Sequence, residues 1–387
     1  MKILAITFDT EMSGGANRSF MMVITELCRK YGHEVYIIIP GKGPIEKELQ
    51  SNNIPYRSVD LPRVGTVLTG SVKDVYRKLK ENYKAIEHAM IAKKIASGFR
   101  NERFDLVYIN GTPQLCGAYL ARELQLPYVW HFRGYLKRGC YYSWNQKQLF
   151  NDTKAKIIVI SQNMVVTLPE ILKISPEQIV LVHNGLKWDK NIKTSSQNRT
   201  GGLHCVLCGR LVRSKGQGDA IEALRILRER GFNNIYIHFA GDLNEASQSY
   251  LEELREKIRI NRLEDRVILE GQIEDMAAFR ENMNIELMCS ICEPFGRVTV
   301  EGMRSGLIVI GSNTGGTVDI IQDGYNGYLY QQGNSTDLAD KIQYVIEHEN
   351  EALFIAKNAI EFTKTHFTVE QNVSAINDVL CEAVRKE

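Results

Sequence analysis

Two short apolar runs, IELMCS (residues 285–290) and LIVIGS (307–312), bracket a glycine-containing loop and one helix-like stretch that begins near Val298. Runs this short and this apolar read as strands buried on both faces. A strand, loop, helix, strand unit needs a crossover between parallel strands, and that crossover packs its helix on the sheet. The unit therefore opens a helix N-terminus at the carboxyl edge of a parallel sheet, where unpaired N–H groups and the helix dipole attract phosphate. The same rhythm recurs along the chain and predicts an α/β protein with doubly wound sheets.

Between the runs lies CEPFGRVTVEGMRSG, which holds Glu293 and Glu301 on either side of Phe295 and Gly296. For a lone pair of glutamates, solvated charges at a helix start are the ordinary reading. Beside an anion site, however, a carboxylate that accepts two hydrogen bonds from a vicinal diol has a use. Glu301 suits a ribose and Glu293 a second polyol, a pairing that fits a nucleotide sugar.

At 387 residues the chain fits two domains of ordinary size. Apolar content of 44% and charged content of 24% are globular values, and a net charge of +2 gives no general affinity for nucleic acid. Residues 1–185 read as one βα series: KILAITF (2–8), a glycine turn and helix from Gly14, EVYIII (34–39), FDLVYIN (104–110), LPYVWHF (126–132) and KIIVIS (156–161). Residues 186–202 are polar and rich in Ser, Thr, Asn and Gly, and read as a linker. The rhythm restarts over 203–365 with HCVLCGRL, a helix from Gln217, NIYIHFAGD, a helix from Glu245, RVILEG and a helix from Glu274. Residues 366–387 read as a terminal helix. A ligand is expected in the cleft between two such halves.

Further candidates lie at strand ends. Gly14 and Gly15 let the backbone turn tightly after the first strand, which is as much a turn device as a ligand contact. His131 closes the strand LPYVWHF, a place where histidines are more often structural than catalytic. Arg210 and Lys215 flank the start of a helix. R-x(4)-K-G taken alone is common surface charge, yet two fixed cations there can hold a diphosphate and stabilise it as its charge grows. Residues 71–100 have helical periodicity with eight Lys or Arg and three Asp or Glu, and 133–156 interleave aromatics with charge. Both fit solvated faces; both also fit an anionic lipid surface.

Taken together, EPFGRVTVEGM, GLIVIGSNTGGTVDII and DGYNGYL resemble the E-x(7)-E region of the family 4 retaining glycosyltransferases, and the ordered motifs extend that resemblance over nearly the whole chain. The resemblance implies a GT-B fold of two Rossmann-like domains facing across a cleft, the first binding acceptor and the second a nucleotide sugar. It implies that the terminal helix crosses back to the first domain. By the same resemblance Glu293, Phe295, Gly296, Arg297 and His131 surround the donor sugar. Glu301, Gln272, Ile273, Val298 and Thr299 take the nucleotide, and Arg210 and Lys215 form a pyrophosphate clamp. Gly14, Gly15 and Asn17 face phosphate or acceptor. Catalytic roles fall to Glu293, Arg210, Lys215 and His131. Arg297 departs from the small or apolar residue frequent at its place, and Asp319 from the usual Glu.

No D-x-D string occurs, so charge neutralisation by Arg210, Lys215 and helix N-termini is expected in place of a metal. No cofactor is expected beyond the donor, which is a hexose or N-acetylhexosamine on UDP or GDP, with UDP favoured by prevalence. The expected acceptor is a glycan or a lipid-linked acceptor, in bacterial surface polysaccharide or glycoconjugate synthesis. Of the eight cysteines, Cys205 with Cys208 and Cys289 with Cys292 have C-x-x-C spacing. They read as buried small hydrophobes in a reducing compartment, because strand residues three apart point to opposite faces. The start lacks a signal-peptide pattern, and no apolar run approaches the roughly 20 residues that span a bilayer. A cytoplasmic protein, peripheral at most, is the expectation.

Four other readings compete. A nucleotide-sugar epimerase would share the fold, and a catalytically inactive sugar-nucleotide-binding subunit would share the site. A phosphorylase fits poorly in so short a chain with no evident cofactor lysine. A Rossmann dehydrogenase fits worst, since no G-x-G-x-x-G follows either opening strand.

Overall fold

The computed structural model describes residues 1–387 apart from 13, 62–65, 112–114, 137–139, 188–193, 196, 198–199, 242–247 and 386–387. The chain forms two compact units, Met1–Leu186 with Val369–Glu387, and Lys187–Thr368.

In the first unit seven strands are β1 (Lys2–Ile6), β2 (Glu34–Ile39), β3 (Tyr56–Ser58), β5 (Leu106–Asn110), β6 (Tyr128–His131), β8 (Ala155–Val159) and β9 (Ile179–Leu181). They form one parallel sheet in the order β3-β2-β1-β5-β6-β8-β9. A small antiparallel pair, β4 (Thr66–Val67) with β7 (Cys140–Tyr141), stands apart. Helices α1 (Gly15–Tyr31) and α14 (Val369–Arg385) share one hydrophobic cluster with β1, β2 and β5. Val369, Val373, Ile376, Leu380 and Ala383 make the α14 stripe, at the three- and four-residue steps that place side chains on one helix face. The C-terminal helix thus folds as part of the first unit. Helices α3 (Asp74–Ser97) and α4 (Leu115–Leu124) pack on each other, while α5 (Trp144–Phe150) brings Phe150 against Trp130 with ring centroids 4.8 Å apart.

In the second unit six strands are β10 (Leu203–Cys208), β11 (Ile235–Ala240), β12 (Val267–Gly271), β13 (Ile285–Met288), β14 (Ile308–Ser312) and β15 (Tyr328–Tyr330). They are parallel in the order β12-β11-β10-β13-β14-β15. Alternation along β10 sends Cys205 and Leu207 into a large cluster with α7 (Gln217–Glu229), α8 (Gln248–Ile260), α12 (Ser335–Glu347) and α13 (Glu349–Thr365). Val206 and Cys208 point into a smaller one with Met283 and Leu307. The two cysteines of the first C-x-x-C spacing therefore lie on opposite faces. Cys289 is buried as expected, and burial pushes its thiol up to about 12; Cys292 is exposed instead.

Each sheet reverses its winding beside its first strand, between β1 and β5 and between β10 and β13. Loops at the carboxyl ends of such strand pairs diverge to opposite faces and leave a crevice. The expected strand over 2–8 ends at Ile6, and just beyond it the Thr7 hydroxyl donates to Asn17 Oδ1 at 2.9 Å. The helix expected from Glu274 is a five-residue turn, α9 (Met276–Arg280), started by the Asp275 carboxylate accepting from the Ala277 and Ala278 amides. The helix start expected at Glu245 and most of the linker over 186–202 lie outside the described residues. Within that stretch Gln197 Nε2 donates to the Asn284 and Gly306 carbonyls at 3.1 and 2.9 Å.

At the first crevice a buried polar chain ties the loops together. Asn110 Nδ2 donates to Thr7 Oγ1 at 3.0 Å, Arg133 Nε donates to Asn110 Oδ1 at 2.7 Å, and Arg133 Nη1 donates to Asn184 Oδ1 at 2.8 Å. Asn110→Ala leaves a buried guanidinium without one acceptor, which should cost about 1–3 kcal/mol. Urea unfolding followed by tryptophan emission checks this, since Trp130 and Trp144 both lie in the first unit.

Candidate functional site

In the second unit Val212 is extended, Arg213–Lys215 make one 3-10 turn, and Gly216 follows with φ of +73°. A Cβ on Gly216 would sit 2.8 Å from the Cys289 carbonyl carbon, so only glycine lets this turn lie against the end of β13. That approach brings Lys215 Nζ to 2.6 Å from Glu293 Oε2, and Ser290 Oγ donates to the same oxygen at 3.0 Å. The Glu293 loop is braced from below, its carbonyl accepting from the Gly316 amide at 2.7 Å. A Cβ on Gly316 would fall 2.6 Å from Phe295 Cα, which explains the paired glycines at 315–316. Phe295 is buried, and its ring meets Phe367 edge-on at 5.5 Å. Arg210 stands exposed at the end of β10, and its carbonyl accepts from Gln217 Nε2 at 3.0 Å.

Gly296 caps α10 (Arg297–Arg304), whose first turn carries Val298 and Thr299. The Thr299 hydroxyl is buried and without a partner among the described residues. Val298 packs on the smaller cluster together with Ile273, Met276 and Phe279, while Gln272 is exposed beside Ile273. Glu301, one turn into α10, is a third exposed. Its Oε2 lies 3.4 Å from Arg280 Nη2 and its Oε1 3.6 Å from Arg297 Nη2. The unusual Arg297 thus turns along its own helix toward Glu301.

Arg280 and Glu286 are functional candidates that sequence reasoning passed over. Arg280 Nε donates to Glu286 Oε2 at 2.8 Å, and both side chains are buried. Burial pushes the Glu286 carboxyl up against the pull of Arg280. Burial also works against the Arg280 cation, but the Glu286 and Glu301 carboxylates outweigh it and hold the guanidinium above its usual range. A buried ion pair is expensive unless fully bonded. Here Arg280 Nη2 also reaches Cys208 Sγ and Glu301 Oε2, at 3.7 and 3.4 Å, which orients the Glu301 carboxylate, while Glu286 Oε1 has no partner among the described residues. The signal was present, since Glu286 is an ionisable residue inside the apolar run IELM.

In the first unit Gly14 and Gly15 are exposed at the start of α1, with Gly14 extended as its cap. Asn17 is buried and its amide is spent on the loop, donating to the Asp9 and Glu11 carbonyls at 3.2 and 2.9 Å and to the Asp9 carboxylate. It orders the turn after β1. His131 is fully buried at the end of β6, its Nδ1 2.7 Å from Tyr108 Oη. Its Nε2 has no partner among the described residues. Burial first, and Arg133 second, push this imidazole well below its ordinary value, so it is neutral. Among the described residues no three His, Cys, Asp or Glu are grouped to hold a metal ion, and no helix is long and apolar enough to cross a membrane.

The winding reversal of an open parallel sheet is where α/β proteins of this class bind their ligands, and here it carries the paired acidic and basic groups. Comparison with known proteins narrows the class. The family model of the glycosyl transferases group 1 matches residues 189–362, and that of Glycosyltransferase Family 4 matches 13–189. An uncharacterized glycosyltransferase of Methanocaldococcus jannaschii is 25% identical over 347 residues, covering 86% of this chain and 90% of its own. The capsular polysaccharide biosynthesis glycosyltransferase CapM of Staphylococcus aureus is 27% identical over 160 residues, 41% of each chain. Among solved structures, Anabaena HepE in complex with UDP has a TM-score of 0.79 at 23% identity, over 99% of this chain and 100% of its own; the same protein is also known with UDP-glucose. This chain belongs to the family 4, group 1 glycosyltransferases, and its two Rossmann-like units have the GT-B fold.

The neutral, buried His131 has a pH consequence. With its folded value below 6.5, the unfolded chain binds a proton that the folded chain does not as pH falls through 6.5, so stability declines there. His131→Phe should reduce that slope by up to about 1.4 kcal/mol per pH unit, read from urea midpoints across the acid range.

Proposed function

We propose that the protein is a retaining, metal-independent glycosyltransferase that moves a hexose or N-acetylhexosamine from a UDP-sugar to a glycan or lipid-linked acceptor in surface polysaccharide or glycoconjugate synthesis. The observation that carries this is the Lys215–Glu293 pair at the β10/β13 reversal, with Glu301 one turn into α10. HepE, whose structures hold UDP and UDP-glucose, supports UDP as the nucleotide, and CapM's role in capsule synthesis supports a surface glycan.

In this reading Glu301, oriented by Arg280, accepts both ribose hydroxyls. Gln272 and Ile273 meet the base through backbone groups, and Val298 and Thr299 present the α10 N-terminus to the diphosphate. Arg210 and Lys215 add fixed positive charge where negative charge develops as the sugar leaves. Glu293 accepts from sugar hydroxyls while keeping Lys215 in place, Phe295 and Gly296 shape that loop, and neutral His131 has Nε2 to offer a hydroxyl. No carboxylate is assigned to the far face of the anomeric carbon. Attack therefore comes from the face of the departing phosphate, which takes the acceptor's proton, and the sugar's configuration is kept. Gly14 and Gly15 contact phosphate or acceptor. The enzyme works at the inner face of an anionic membrane.

Glu301→Ala should weaken free UDP by about 1.5–3 kcal/mol in calorimetry, the worth of a charged hydrogen bond. Arg210→Ala and Lys215→Ala should lower the rate of transfer by about 2.7–4 kcal/mol with smaller changes in donor affinity. NMR of the product should show the donor's anomeric configuration, in the presence of EDTA as in its absence. An inverted product or a glycosyl adduct on Glu293 by intact mass contradicts the mechanism. Interconversion of UDP-sugars would mark an epimerase, and UDP-sugar binding without turnover an inactive subunit.

A further inference from the structure

Helix α3 carries a face that the described residues of its unit leave uncovered. Ala85, His88, Ala92 and Ile95 are buried on one side. On the opposite side Val75, Tyr76, Leu79, Tyr83, Ile86 and Met90 recur at helical steps and are each between 59% and 69% exposed. At about 1.5 Å per residue the 24-residue helix is about 36 Å long, so this is a continuous apolar stripe and not scattered surface residues. Lys73, Lys78, Lys80, Lys93 and Lys94 are exposed around it. The acidic residues withdraw: Asp74 pairs with Arg77 at 2.7 Å, Glu81 is buried and accepts from Thr66 Oγ1 at 2.7 Å, and Glu87 is half-buried. At the start of α5, Trp144 is 73% exposed and joins Ile86, Met90 and Lys93 around a groove of about 530 Å³.

A second copy of this face would set lysines against lysines. An apolar stripe bordered by lysines, with tryptophan at one end, matches the plane of an anionic bilayer, where amphipathic helices lie with their apolar side at the acyl boundary. We infer that α3, with Trp144, seats the first unit on an anionic membrane by inserting its apolar stripe. The inference deepens the membrane contact proposed above and rests on it. Basic charge alone would give a binding that salt abolishes; insertion leaves a part that salt does not remove.

The test uses the full chain with vesicles of phosphatidylglycerol and phosphatidylcholine, and of phosphatidylcholine alone. Wild type should sediment with the first, keep part of that binding at about 1 M salt, where charges are screened beyond about 3 Å, and show blue-shifted emission that Trp144→Phe removes. Leu79→Ser, Ile86→Ser and Met90→Ser combined should lower the partition at least tenfold. These positions are exposed, so an unchanged melting curve certifies the fold. UDP affinity measured in parallel should be equal in wild type and variant. Equal sedimentation of the two proteins overturns the inference, as does binding lost entirely at high salt. A wild type that dimerises while the triple variant does not, without vesicle binding, also overturns it and assigns the stripe to self-association. Failure of wild type to bind UDP strikes the transferase reading alone and leaves the vesicle result standing.

Discussion

Lys215 and Glu293 meet because two backbone segments approach more closely than any side chain would allow. Gly216 lies against the Cys289 carbonyl, and Gly316 lies against Phe295. Each contact pins a strand-end loop of the β10/β13 reversal to its neighbour, and together they set the ion pair at 2.6 Å. The site's charge is therefore preorganised by backbone packing, which no donor needs to induce. Electrostatic stabilisation of a leaving diphosphate depends on that kind of fixed geometry, since a cation that must first be gathered loses part of its effect.

Beneath each crevice sits a buried polar arrangement that holds loops in register. In the second unit it is ionic, Arg280 between Glu286 and Glu301. In the first it is neutral apart from Arg133, running through Thr7, Asn17, Asn110 and Asn184. The interior's low dielectric makes such groups costly if one partner is missing and firmly placed if none is. The ionic version orients the carboxylate of Glu301. The amide version spends its groups on itself, which is why Asn17 serves the loop's shape.

Helix α3 shows the opposite economy. A helix with lysines around an outward apolar stripe disregards the usual rule of polar surface, and none of the described residues of its unit covers it. Asp74 is paired and Glu81 is buried, so lysines outnumber the carboxylates, Glu87 and the groove's Glu123, that stay at that face. Departures from local consistency concentrate where a protein has work to do.

Much of this was legible in residue order. Short β-branched runs alternating with amphipathic stretches determine parallel α/β units, because period and length leave no other way to bury those residues. The E-x(7)-E unit, the R-x(4)-K-G turn and the strand-end glycines were visible as local patterns, since a loop's chemistry is written in consecutive residues. Charge on residues 71–100 was equally plain, but its apolar stripe was not, because a sequence with alternating Lys and Leu does not say which face meets the core. Strands β3 and β15 and helices α12 and α13 escaped notice, although α12 has an Asn334 cap and a stripe of Leu338, Ala339, Ile342 and Val345 that residue order displays. Sequence by itself determined the fold class and the kinds of group at the site. Tertiary structure alone decided that Lys215 meets Glu293, that Arg280 reaches Glu301 through a buried pair, and that α3 turns its apolar face outward, because each depends on contacts between residues far apart in the chain or on which side of a helix the core claims.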